Sequence, residues 1–188
     1  VTTAADLRAI AITALTGTTL AGTNVFAPRD ISTWQGDYPL LIVTLSKGRG
    51  EGLGNVGPPK FDTTVTLRIA ARVSHPATED DTGAALVYED LETLCDQVLA
   101  AVIRYPDLYE LISEYPYFEW EIVDVGKEDA GNHLGEAVIN IGLKWTQGPA
   151  DFYQPTSVPL ETISVDASGV SPDASGTVAP GLLLNFTT

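Results

Sequence analysis

The chain has 188 residues, 44% hydrophobic and 19% charged, the composition of a globular domain with its own core and not of a disordered chain. Ten basic residues against twenty-five acidic ones leave a formal net charge of −15, the wrong sign for neutralising the phosphates of nucleic acid or an anionic membrane. The single cysteine, Cys95, excludes an intrachain disulfide and fits a reducing compartment, and no apolar run approaches the eighteen residues of a membrane span.

The first residues, Val1-Thr2-Thr3-Ala4-Ala5-Asp6, lack the basic-then-apolar pattern of a signal peptide. Leu7, Ile10, Ala11, Ala14 and Leu15 recur at helical spacing and predict a helix over residues 4–16. Thr3 and Asp6 stand at the spacing of a capping box, and Gly17 supplies the stop. Residues 24–27 read as a short strand ended by Pro28. The unbroken apolar run of residues 40–45 reads as a strand covered on both faces. A glycine-dense stretch, residues 46–60, then predicts a projecting flexible loop.

The clearest pattern follows. Phe61, Thr63, Val65, Leu67, Ile69, Ala71 and Val73 alternate with polar or small residues that include Arg68 and Arg72. This predicts a strand of roughly 45 Å at about 3.3 Å per residue, apolar on one face and polar on the other. The polar face meets water or a partner. Acids at residues 79–81 suit a helix start. Val87, Leu91, Leu94, Cys95, Val98 and Val102 form one stripe of a helix over residues 83–104 that stops before Pro106. A helical turn holds Leu108, Leu111 and Ile112.

Phe118, Trp120 and Ile122 share a strand face opposite Glu119 and Glu121, while Val123 and Val125 fall in the other phase, the mark of a bulge or of a strand changing partners. A turn signal at residues 128–132 precedes the alternating Ala137, Ile139, Ile141, Leu143 and Trp145, so the two strands predict a hairpin. After residue 148 prolines break up the chain, and Asp166-Ala167-Ser168-Gly169 recurs as Asp173-Ala174-Ser175-Gly176. Residues 160–165 and 182–186 each read as a strand available for addition. The expected architecture is α+β: a mixed or antiparallel sheet of about four to five strands, two main helices on one face, and an extended C-terminal arm. Residues 1–148 form the domain and 149–188 the arm.

Few residues suggest chemistry. Gly52-Leu53-Gly54-Asn55-Val56-Gly57 spells a dinucleotide-type glycine spacing, but Pro58-Pro59-Lys60 and another strand follow where a helix N-terminus is required. His75 and His133 have acidic neighbours without zinc or calcium spacing. Glu119 and Glu121 are polar positions on a half-exposed strand, and Cys95 is a small hydrophobe on a buried stripe. The expectation is no catalytic residue, no cofactor and no metal. Interaction residues stand out instead. Lys47, Arg49 and Lys60 place three of the ten basic residues in the glycine-rich finger, which suits docking on an acidic surface, including another copy. Arg68 and Arg72 mark the polar strand face. Leu182, Leu184 and Phe186 give the arm apolar side chains that strand addition to a neighbour, or to the chain's own sheet edge, would cover.

The order of elements from Leu7 to Trp145 resembles the tail terminator (tail completion, minor tail) proteins of long-tailed bacteriophages. The resemblance rests on an amphipathic helix at Leu7-Arg8-Ala9-Ile10, a short strand at Asn24-Val25-Phe26 and the segment Tyr38-Pro39-Leu40-Leu41-Ile42-Val43. A glycine-rich loop, the long strand with Thr64-Val65-Thr66-Leu67-Arg68-Ile69, an acid-capped helix and a closing hairpin complete it. The resemblance implies a structural virion protein, usually hexameric, at the head-proximal end of the tail, assembled in the host cytoplasm. It implies the protein itself, the tail tube protein and a head-connector or neck protein as partners. DNA would pass through the lumen of the ring without specific binding, and an acidic lumen would let it slide. The Pro-rich arm departs from the pattern. Other readings are a different neck or tail-tube component, a small-ligand domain using the glycine loop, and an adaptor that binds peptides by strand addition.

Overall fold

The computed structural model describes residues 2–28, 38–54, 57–77, 82–127, 131–152, 164–165 and 184–185. Two compact units divide the chain, Val1–Tyr153 and Gln154–Thr188.

The first unit opens with helix α1, Ala4–Leu15. Thr3 accepts a hydrogen bond from the Asp6 amide at 3.2 Å, and the Asp6 carboxylate accepts one from the Thr3 amide at 3.0 Å. This is the reciprocal box that the spacing predicts, and it satisfies two amides the helix start leaves without partners. The Thr3 bonds hold the Asp6 carboxyl below the usual carboxylate range. Gly17, at φ 75°, turns the chain out of the helix. Strands β1 (Val25–Phe26), β2 (Leu40–Gly52) and β3 (Phe61–Pro76) come next, then helices α2 (Gly83–Ile103) and α3 (Pro106–Tyr109). Strands β4 (Phe118–Lys127) and β5 (Asn132–Gln147) and the short helix α4 (Pro149–Phe152) complete the unit.

The five strands form one sheet in the order β1-β2-β3-β5-β4. β1 runs parallel to β2 and every other pair is antiparallel, so the sheet is mixed. The long alternating strand sits at its centre, where β3 pairs with β5 without a break from Phe61↔Gln147 to Pro76↔Asn132. Val65, Leu67, Ile69, Ala71 and Val73 point into the core with Ala137, Ile139, Ile141 and Leu143. The whole predicted stripe of α2 meets them, Val87 through Val102 at 0% exposure. Each fully buried side chain of this size favours folding by roughly 1.5–3 kcal/mol. α1 lies on β1 and β2, α2 on β3 and β5. Both helices therefore cover one face, as the single apolar phase of the strands requires.

The glycine-dense segment departs from expectation. It is not a loop from residue 46 onward: β2 continues through Gly52, and Gly48, Gly50 and Gly52 pair with Val65, Thr63 and Phe61. Glycine is a poor strand former, but a long neighbouring strand with hydrogen-bonding groups to satisfy overrides that preference. Only residues 53–60 connect the two strands. A bulge between Leu45 and Lys47 leaves Ser46 unpaired and shifts the phase. Lys47 and Arg49 then stand on the helix-free face, where an unbroken strand would have turned them toward the helices. The predicted bulge in β4 is present, with Val123 skipped between Ile122 and Asp124.

The acids at residues 79–81 and the turn at 128–130 lie outside the described residues, and Thr82 makes no side-chain cap on α2. In the second unit, β6 (Ser164–Val165) pairs antiparallel with β7 (Leu184–Asn185). The two arm segments read as strands for addition thus pair with each other at these residues. Leu182 and Phe186 lie outside the described residues, and Leu184 is a backbone partner of Val165.

Candidate interaction surface

Strand alternation gives the helix-free face its side chains. From β2 come Lys47 and Arg49, from β3 Thr66, Arg68 and Arg72, from β5 Glu136, Asn140 and Lys144, and from β4 Glu119 and Glu121. The register aligns these residues in rows across the sheet, with Arg68 beside Asn140 and Asn140 beside Glu119.

Part of the row structure is neutralised internally. The Arg72 guanidinium grips one oxygen of Glu136 through two nitrogens at 2.7 and 2.6 Å. Lys144 reaches Asp62 at 3.2 Å and Glu114 at 3.3 Å. Asp62 and then Glu114 push the Lys144 ammonium above the ordinary lysine range. Thr146 and then Lys144 hold the Asp62 carboxyl below the ordinary carboxylate range. Arg68 and Lys47 make no ion pair among the described residues. They border a shallow depression with Ser46, Thr66, Tyr117, Glu119 and Asn140. The Arg49–Glu51 pair, at 3.0 Å, is exposed on both sides and so contributes little.

Tyr117 is the anchor of this face. Its ring crosses β5 at Gly142, where a Cβ would lie 2.7 Å from the ring, and its hydroxyl hydrogen-bonds that of Thr66 on β3. The segment before β4 is tied down as well: Ser113 donates to the Lys144 carbonyl at 2.8 Å, and Lys144 donates to Glu114 at 3.0 Å. The basic and acidic side chains thus project from a fixed sheet, basic toward β2 and acidic on β4.

No protein-family model matches the chain, and no curated protein matches it.

The residues singled out from the sequence separate into three places. Lys47, Arg49, Arg68 and Arg72 share the helix-free face. Lys60 sits at the end of the hairpin connection, its carbonyl accepting from Leu53 at 2.9 Å. Leu184 belongs to the second unit. The mobile basic finger is therefore corrected: two of its three cations stand on a paired strand. The glycine spacing at residues 52–57 stands between antiparallel strands and leads into β3, so no helix follows it in the chain. Among the described residues no cluster of histidine, cysteine and acids is disposed to hold a metal, and no helix is long and apolar enough to cross a membrane.

Several features are not evident in the sequence. His75 and His133 are direct cross-strand partners, and His75 lies 2.7 Å from Asp90 of α2. Phe118 and Trp120 share the helix side of the sheet with Ile141 and Ile139, yet they remain 58% and 46% exposed, whereas Ile122 of the same strand packs against the core. Among the described residues β4 has no outer neighbour, and β1 covers β2 only at Leu41 and Ile42.

Proposed function

We propose that the chain is a structural subunit of a phage-type tail: it forms a ring of identical copies that caps the tail tube, ends its polymerisation and joins the tail to the head connector. The observation that carries this reading is the sheet, covered by helices on one face only and, among the described residues, with an unpaired strand edge at each end. A chain that offers two different free edges is suited to heterologous, head-to-tail contact, the contact that closes into rings. The element order supports the same reading, since α1, a short strand, a long hairpin, a long helix and a closing hairpin follow one another as in the tail terminator proteins. The net charge of −15, repeated in every copy, disfavours adhesion to DNA passing through the ring.

The test is light scattering and negative-stain imaging of the purified full chain, alone and with tail tubes. Closed rings that bind one tube end and stop its growth are the expected result. Polymerisation into tubes of unlimited length would move the chain to the tube itself, the alternative within the same particle. A monomer that ignores tube ends at high concentration would remove the reading.

A further inference from the structure

We propose that copies of this chain join by strand addition, β4 of one copy laying its outer edge along the free edge of β2 in the next. The proposal rests on the ring reading above and names the surface that would make the ring.

Polarity comes first. Three successive antiparallel pairings make β4 run opposite to β2 within one copy. A rotation that keeps strand direction, as in a ring, therefore brings β4 antiparallel to the neighbour's β2, and the alternation of the sheet continues across the junction. Residues 43–52 of β2 have no strand on their outer side among the described residues, so their edge groups lack a ladder partner.

Register follows from the side chains. Placing Glu119 opposite Arg49 in such a ladder places Glu121 opposite Lys47. Both pairs lie on the helix-free face, because the bulge at Ser46 has turned the two cations there. Opposite charges directly across a strand pair favour the register, and the reverse combination opposes it. The same register places Phe118 opposite Gly50 and Trp120 opposite Gly48 on the helix side. Here the two glycines present no side chain, and a Cβ at Gly48 would face only Val65, at 3.6 Å. Two exposed aromatic rings meet two residues without side chains, with Thr63 and Phe61 beside Gly50, a pairing that compensates edge glycines. Charge on one face and volume on the other thus agree on one alignment. The bulges at Ser46 and Val123 bound the matched segment on both strands.

The experiment uses two full-length variants, Lys47→Glu/Arg49→Glu and Glu119→Lys/Glu121→Lys. All four positions are exposed, and circular dichroism verifies that each variant folds. Each variant alone sets like charges across the junction, and its self-association should weaken by at least about 100-fold in sedimentation velocity. Mixed in equal amounts, the two restore one native and one swapped junction and should assemble again. A third variant, Lys47→Cys/Glu121→Cys, should give a ladder of disulfide-linked oligomers on oxidation. Rings from the parent chain with no effect of the swaps and no ladder would overturn this interface and leave the ring reading standing. A parent chain that stays monomeric and ignores tube ends, with no ladder, would remove both.

Discussion

The hydroxyl groups of Tyr117 and Thr66 hydrogen-bond each other across an intervening strand, with β5 passing beneath the tyrosine ring at Gly142. This contact fastens the edge of the sheet to its centre. Tyr117→Phe leaves the nearly buried Thr66 hydroxyl without its partner and should cost about 1–2 kcal/mol in urea denaturation. Gly142→Ala drives a methyl group against the ring and Pro116, and should cost about 1–3 kcal/mol. The two losses should not add in the double variant, because both act on the same contact.

Gly83 opens α2 in a place with no room for a side chain. A Cβ there would stand 2.6 Å from the Pro76 carbonyl oxygen and 2.8 Å from the His133 ring. Helix propensity alone predicts that Gly83→Ala stabilises by up to about 1 kcal/mol. The packing predicts the reverse, a loss of about 1–3 kcal/mol, since the backbone oxygen cannot move aside cheaply. Thermal denaturation of the single variant decides the sign.

Burial pushes the Cys95 thiol up to about 11, with Asp96 and Glu92 adding to the shift. The folded state holds this proton more tightly than the unfolded chain, where the thiol titrates near about 8.5. The associated stability is complete below that pH and is lost as the pH rises toward the folded value. Stability should fall between those two pH values, and Cys95→Ala should remove that part of the slope. A thiol reagent at pH 8 should react only at the rate at which the chain unfolds.

Asp62 works at the other end of the pH scale. Its lowered pKa means that the bonds to Thr146 and Lys144 contribute stability above the ordinary carboxylate range and lose it as the pH falls through the folded value. Asp62→Asn should flatten the acid limb of a melting-temperature profile below about pH 4. Lys144 keeps its charge throughout that range, so the limb reports the carboxylate.

Periodicity carried much of the architecture. The stripe from Val87 to Val102, the alternation from Val65 to Val73 and that from Ala137 to Trp145 are all buried as their spacing implies. Each pattern is local, repeated and strongly apolar. Residues 46–52 were misleading because glycine composition signals a loop, whereas pairing with β3 is a long-range effect with no local mark. The candidate surface was legible only as separate residues. Lys47 and Arg49 face the same side as Glu119 and Glu121 because a bulge shifts β2 by one residue. They stand at opposite ends of the sheet because β5 inserts between β3 and β4. Neither the shift nor the strand order leaves a signature near those side chains. The exposure of Phe118 and Trp120 was hidden for a related reason, since how fully the helices cover an edge strand is decided by packing.

The strand order also governs the moment at which the nascent chain can fold. β5 is the last of the five strands to leave the ribosome, yet it occupies an interior position and pairs along the whole length of β3. Until residues 132–147 emerge, β4 has no neighbour to bond with and β3 keeps one bare flank. The core must therefore close late in synthesis, and β4 waits for the strand encoded after it.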